Sequence, residues 1–142
     1  MARISIDLPQ SFHFSTEVPV RIDDINYRGH LGNDAMLSIL QEARIRMLQD
    51  HGWSEVDIEG VGIIMGDAAL IYKSESFHDD VLVIEIGVVD ITRSACDFVY
   101  RVSNKATGRE VAIVKTGLVF FDYASRKIVG VPERFKKIFN SL

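Results

Sequence analysis

The sequence predicts an α+β fold, an antiparallel sheet wrapped around one long central helix. Three observations carry this. Only one long segment, Asp34 to His51, has apolar residues at sustained helical spacing. Four strand-like runs follow it with no second long helix between them. The separators between those runs are short turns, which join antiparallel rather than parallel neighbours.

The elements follow in order. Ser11 to Asp23 alternates Phe12, Phe14, Thr16, Val18, Val20 and Ile22, a strand pattern, with Pro19 suited to an edge or a bulge. INYRGHLGN, 25–33, reads as a loop with Asn33 as the helix N-cap. In the helix, Met36, Leu37, Leu40, Ala43, Met47 and Leu48 share one face, and Arg44, Arg46, Gln49 and Asp50 lie off it. Asp34 suits the positive helix start, and Gly52 suits the C′ position. The strands run from Gly62 to Glu75, Asp80 to Asp90, Ser94 to Asn104 and Arg109 to Tyr123. The last is apolar on both faces, as in a central strand, and its Gly117 marks a bulge or a close approach. Pro132 opens a short C-terminal helix at N1. The long helix can bury its stripe only on the sheet. The other sheet face still carries apolar groups, so a homo-oligomer is expected.

Size and charge narrow the function. With 142 residues, positions 1–142 are read as a single domain. Surface scaling gives about 7,400 Å² folded against about 23,000 Å² extended, enough burial for a core without staples. The 47% apolar and 25% charged residues argue against a disordered tail, a collagen or a coiled-coil rod. A net charge of −4 lacks the basic footprint of a general nucleic-acid binder. One cysteine, Cys96, makes no internal disulfide and is too few thiolates for a Cys-based zinc site. The start, MARISIDLPQ, has no apolar h-region, and no stretch has the length of a membrane span. A cytoplasmic domain without a membrane span is expected.

The run VRIDDINYRGHLGNDAMLSILQEARIRML, 20–48, resembles the hotdog-fold acyl-CoA thioesterases of the 4-hydroxybenzoyl-CoA thioesterase type. It has a strand ending in Val-Arg, then Asp, then a Gly-His loop before an Asn-containing helix start. Glu42-Ala43-Arg44 follows in the helix. Tyr72, the Asp79-Asp80 turn, the Thr-Arg-Ser turn at 92–94, Gly108, the strand Thr116 to Phe121 and the Val131-Pro132 close continue the likeness. The resemblance implies a dimer with one continuous sheet, often paired further into a tetramer. It implies two acyl-CoA sites at the subunit interface beside the start of the long helix, and no metal or other cofactor.

The chain departs from that pattern at its chemistry. Many relatives carry an Asp four residues before the loop His; here the position is Asn26, and an amide takes no proton. Another branch uses a Glu nine residues after the loop; here that position is Ile39. Asp34, in the first helical turn, is the first candidate for activating water, or else a first-turn acid that stabilises the helix. His30 is the second, as a relay or orienting group, or else a loop-shaping residue. Asn26 can position water or the thioester carbonyl. Asp67 interrupts an apolar strand, and a carboxylate there needs a partner or a purpose. Backbone N–H groups over Gly29, Leu31, Gly32, Asn33 and Asp34 could stabilise the oxyanion, the glycines letting ligand approach the backbone. Arg93, with Lys105, Arg109 and Lys115, is a candidate for CoA phosphates.

The rest read as structural. One of Asp23 and Asp24 caps or bridges the first turn, and Glu42 pairs on the helix. Cys96 and Trp53 pack, and His13, His51 and His78 show no metal-ligand spacing. The expected activity is hydrolysis of an acyl-CoA or acyl carrier protein thioester to acid and thiol. The alternative is a protein that binds acyl thioesters without hydrolysing them. A dehydratase ranks third, because its His and acid occupy a different loop pattern.

Overall fold

The computed structural model describes residues 3–140. In chain order the elements are β1 (Phe14–Pro19), a 3-10 turn (Ile22–Asp24), α1 (Asn33–Gln49), β2 (Gly62–Tyr72), β3 (Val81–Val89), β4 (Ala95–Asn104), β5 (Glu110–Asp122), β6 (Lys127–Ile128) and α2 (Glu133–Phe139). All strands form one antiparallel sheet in the order β1-β3-β4-β5-β2, with β6 on β5.

The sheet buries alternate residues toward the helix. Leu82, Ile84 and Ile86 come from β3, Phe98, Tyr100 and Val102 from β4, and Ala112, Val114, Leu118 and Phe120 from β5. Against them α1 sets Met36, Ile39, Leu40, Ala43, Met47 and Leu48. Each fully buried Leu, Ile or Met contributes about 1.5–3 kcal/mol. Phe135 and Phe139 of α2 close one end of this core around Trp53.

Several expectations shift. β1 is shorter than the alternating run, because the chain leaves the sheet into the 3-10 turn, where Asp24 Oδ2 accepts the Arg21 N–H at 2.9 Å. Pro19 ends the edge strand as expected. Gly32, not Asn33, is the N-cap of α1, and no side chain caps that end. On the helix, Leu37 is only half-buried while Ile39 and Arg44 are buried. Arg44 crosses the core because its guanidinium meets Glu55 at 2.8 Å and the Tyr100 hydroxyl at 3.2 Å. That hydroxyl is in turn 2.7 Å from Thr116 Oγ1. Gly52 takes φ +76° and closes the helix with N–H bonds from Gly52 to Gln49 and from Trp53 to Leu48. Pro132 is the N-cap of α2 rather than its first residue. The register shift between β2 and β5 falls at Gly66 in β2, not at Gly117, and a second one, between β4 and β5, falls at Val111. Gly117 is instead a close approach: the Asp67 carboxylate folds over it, where a Cβ would collide.

The two sheet edges differ. β1 is short, whereas β2 runs for 11 residues with β5 on one side only. Its middle, Ile64 to Ala68, is exposed. A long edge of unpaired backbone groups is a template for another strand.

Candidate active site at the start of the long helix

The Gly-His loop is a compact turn whose own polar groups are largely spent on itself. Asn26 Oδ1 accepts the Arg28 N–H at 2.9 Å and the His30 N–H at 3.4 Å. The Asn26 N–H reaches the His30 carbonyl, and the Gly29 N–H reaches the Asn26 carbonyl. Gly29 sits at φ +84°, a conformation glycine adopts without steric cost. The Leu31 N–H donates to the Ser76 carbonyl at 2.7 Å, and the Gly32 N–H to the Asp24 carbonyl at 3.0 Å. The loop is thereby stapled to the segments that follow β1 and β2.

This narrows the oxyanion expectation to Asn33 and Asp34 and removes Gly29, Leu31 and Gly32 from it. The amides of Gly29, His30, Leu31 and Gly32 already have acceptors. Among the described residues, the N–H groups of Asn33, Asp34 and Ala35 have none, since they are the first turn of an uncapped helix. The usable donors begin at the residue after Gly32, where the helix end also favours negative charge.

Around these donors lie two clefts that share His30, Gly32 and Asn33. The larger, about 570 Å³, is lined also by Asn26, Tyr27, Arg28 and Asp34. A Cβ built on Gly32 would lie 2.7 Å from Asp34 Oδ1 and 3.7 Å from Asn26 Cβ, so both side chains lean over that glycine. Asn26 Nδ2 makes no hydrogen bond among the described residues and can donate to a ligand. The smaller cleft, about 330 Å³, runs between the loop and the exit of β2, over Met36 and Val111.

Tyr72 joins the site without having been a sequence candidate for it. Its hydroxyl donates to the Asn33 carbonyl at 2.8 Å. Burial raises its pKa, and the Asp34 carboxylate raises it further. The strand pattern, read as running to Glu75, put Tyr72 within the strand; the structure ends β2 at Tyr72 and sets it beside the helix start.

His30 serves the loop. Its Nδ1 lies 3.2 Å from the Leu31 carbonyl and its Nε2 3.9 Å from Glu75 Oε1. Among the described residues no hydrogen bond joins His30 to Asp34, so the expected relay between them is not formed. Asp67 and Arg93 line neither cleft of this chain. Asp67 is held by Lys115 Nζ at 2.8 Å and by the Gly117 N–H at 3.0 Å, which keep its carboxyl below the usual range. Arg93 is exposed at the β3–β4 turn, its carbonyl taken by the Val131 N–H. Among the remaining candidates, Lys105 pairs with Glu17 at 2.9 Å. Cys96 is buried, which pushes its thiol up to about 12. Among the described residues no cluster of three His, Cys, Asp or Glu could hold a metal.

A six-stranded antiparallel sheet folded against a single long helix is the hotdog architecture. Solved structures bear out the fold. A 1,4-dihydroxy-2-naphthoyl-CoA thioesterase from Synechocystis superposes with TM-score 0.81 at 17% identity, over 91% of this chain and 96% of that one. A DHNA-CoA thioesterase from Staphylococcus aureus gives 0.79 at 18% identity, over 89% and 87%. A probable thioesterase from Escherichia coli gives 0.77 at 18% identity, over 89% and 96%. No curated protein sequence matches the chain. Residues 20–139 match the thioesterase-like superfamily, and the chain belongs to it. That places it among the thioester hydrolases. Among the described residues no helix is long and apolar enough to cross a membrane.

Proposed function

We propose that the chain is an acyl-CoA thioesterase working at the start of α1. The observation that carries this is the coincidence of three unspent N–H groups, at Asn33, Asp34 and Ala35, with the Asp34 carboxylate and the Asn26 side chain beside one glycine and in one cleft. The thioester carbonyl accepts from the helix amides, which stabilise the charge that develops on oxygen as the tetrahedral intermediate forms. Asp34 takes the proton of the attacking water. Asn26 Nδ2 holds that water or the carbonyl, and His30 fixes the loop. The intermediate collapses, the thiolate of CoA leaves, and the acid is released.

The site is completed by a second copy. The unpaired edge of β2 suits pairing with the same edge of another chain, and its exposed Ile64 and Met65 give that contact apolar area. Such a dimer brings the partner's β2, with its Asp67, within range of a shared interface. Pairing of two dimers would cover more of the outer sheet face. The whole chain is one such domain, working in the cytoplasm.

One observation favours the second reading, a protein that binds acyl thioesters without hydrolysis. Asn26 stands where relatives of the resembled type carry Asp, and its oxygen is committed to the loop. Purified protein offered short, medium, long and aromatic acyl-CoAs, and one acyl carrier protein thioester, separates the readings through released thiol. Saturable release from any of them supports hydrolysis. A flat panel with measurable binding supports the second reading and overturns the first.

A further inference from the structure

The smaller cleft contains a polar group that neither the fold nor the proposed mechanism uses. Ser76 lines it and is 1% exposed. Its hydroxyl is buried with no hydrogen-bond partner among the described residues. A hydroxyl hidden in this way forfeits the bonds it makes in water and calls for an explanation. The fold does not require it, since Ser76 does its structural work through its backbone carbonyl, which holds the Leu31 N–H at 2.7 Å.

The cleft itself says what could complete the bond. It lies beside Asn33, the first of the residues whose unspent amides suit a thioester carbonyl. Leu31, bonded to Ser76, is two residues from Asn33, a span of at most about 7 Å. Of the two clefts that meet at Asn33, the larger carries Arg28 and the exposed Tyr27, and suits a polar arm such as that of CoA. The smaller has a floor of Leu31, Met36 and Val111 under a polar rim that includes Lys73, Ser74 and Glu75, and suits an acyl group that carries a polar substituent. At about 330 Å³ it sits at the low end of small-molecule pockets, so the acyl group is short.

We infer that Ser76 is a specificity-determining residue whose hydroxyl, by rotating about its Cα–Cβ bond, donates to an oxygen carried on a short acyl chain close to the thioester. The favoured ligands are hydroxyacyl or ketoacyl thioesters over their plain hydrocarbon counterparts. The inference rests on the thioester reading above for the identity of the ligand, but not on turnover.

The test compares 3-hydroxybutyryl-CoA with butyryl-CoA, on wild type and on Ser76→Ala, in kcat/KM and in Kd by calorimetry. Wild type should favour the hydroxylated member by roughly tenfold. In Ser76→Ala that ratio should fall to near one, with a melting temperature no lower than wild type. General damage to the site would lower both substrates together and leave the ratio intact, which overturns the inference. So does a wild type with no preference, or one that binds neither thioester. If wild type binds the pair with the stated preference and hydrolyses neither, the Kd ratio still decides Ser76, and only the hydrolase reading fails.

Discussion

The hydroxyl of Tyr72, the last residue of β2, donates to the carbonyl of Asn33, the first residue of α1, at 2.8 Å. The strand that offers an open edge is thereby tied to the helix start that offers open amides. Tyr72→Phe removes the bond and keeps the ring. Because Tyr72 is 45% exposed, water can replace part of what is lost. The expected loss of stability is about 0.5–1 kcal/mol by urea denaturation. Loss of this tether should also lower kcat/KM, because the helix amides lose a fixed reference.

Asp34→Asn keeps the shape of the first turn and removes the proton acceptor. Its kcat on any hydrolysed acyl-CoA should fall by about 100-fold or more, with KM within a few-fold of wild type. An unchanged kcat would show that another group activates water.

The core ion pair is a separate matter from catalysis. Arg44 is 4% exposed and bonded to Glu55 and Tyr100. Arg44→Ala leaves Glu55 without its cation and opens a cavity, at a cost of about 3–5 kcal/mol. Arg44→Met with Glu55→Gln, which removes both charges and keeps the volume, should recover most of it. Chemical denaturation of the three proteins measures the difference.

Asp67 gives a pH prediction with a definite sign. The Lys115 hydrogen bond lowers its pKa from 3.8 in the folded state. A lowered folded pKa adds stability that is present above the unfolded value and is lost as pH falls through the folded one. Asp67→Asn should therefore melt below wild type at neutral pH, and the two curves should converge as pH drops below about 3.8. Lys115 also lies 3.6 Å from Asp97, which limits the size of the effect.

Burial of Cys96 predicts silence toward thiol reagents. With its thiol pushed up to about 12, almost no thiolate exists at pH 8. Native protein should react with a disulfide reagent far more slowly than unfolded protein, which should titrate one thiol. A fast native reaction would show that the β4 core opens.

The long helix, the four main strands and their antiparallel pairing were legible in the sequence, because apolar periods of 3.6 and 2 record which face each element buries. Their order was not: the short separator after β2 suggested a hairpin with β3, but β2 pairs with β5 and β3 with β1. Gly52 and Pro19 were legible too, since each has a narrow backbone range. The resemblance of residues 20–48 marked the loop and the helix start as the candidate site. Particular side chains were harder to read. Arg44 looked like a solvent-facing cation, and only Tyr100 and Glu55, supplied by β4 and by the segment before β2, make its burial possible. Glycine content suggested oxyanion donors within the loop. Which amides are free depends on acceptors at Asp24 and Ser76, which lie outside it.

Sequence by itself determined the helix, the four main strands, the Gly-His loop and the presence of Asn at position 26 in place of a carboxylate. Those are local properties, fixed by side-chain period and by residue identity. Tertiary structure alone decided the strand order, that Tyr72 and Ser76 stand beside the helix start, and that the Leu31 amide is spent on Ser76. Contacts between residues some forty positions apart arise only when the sheet folds over the helix, and no local pattern records them.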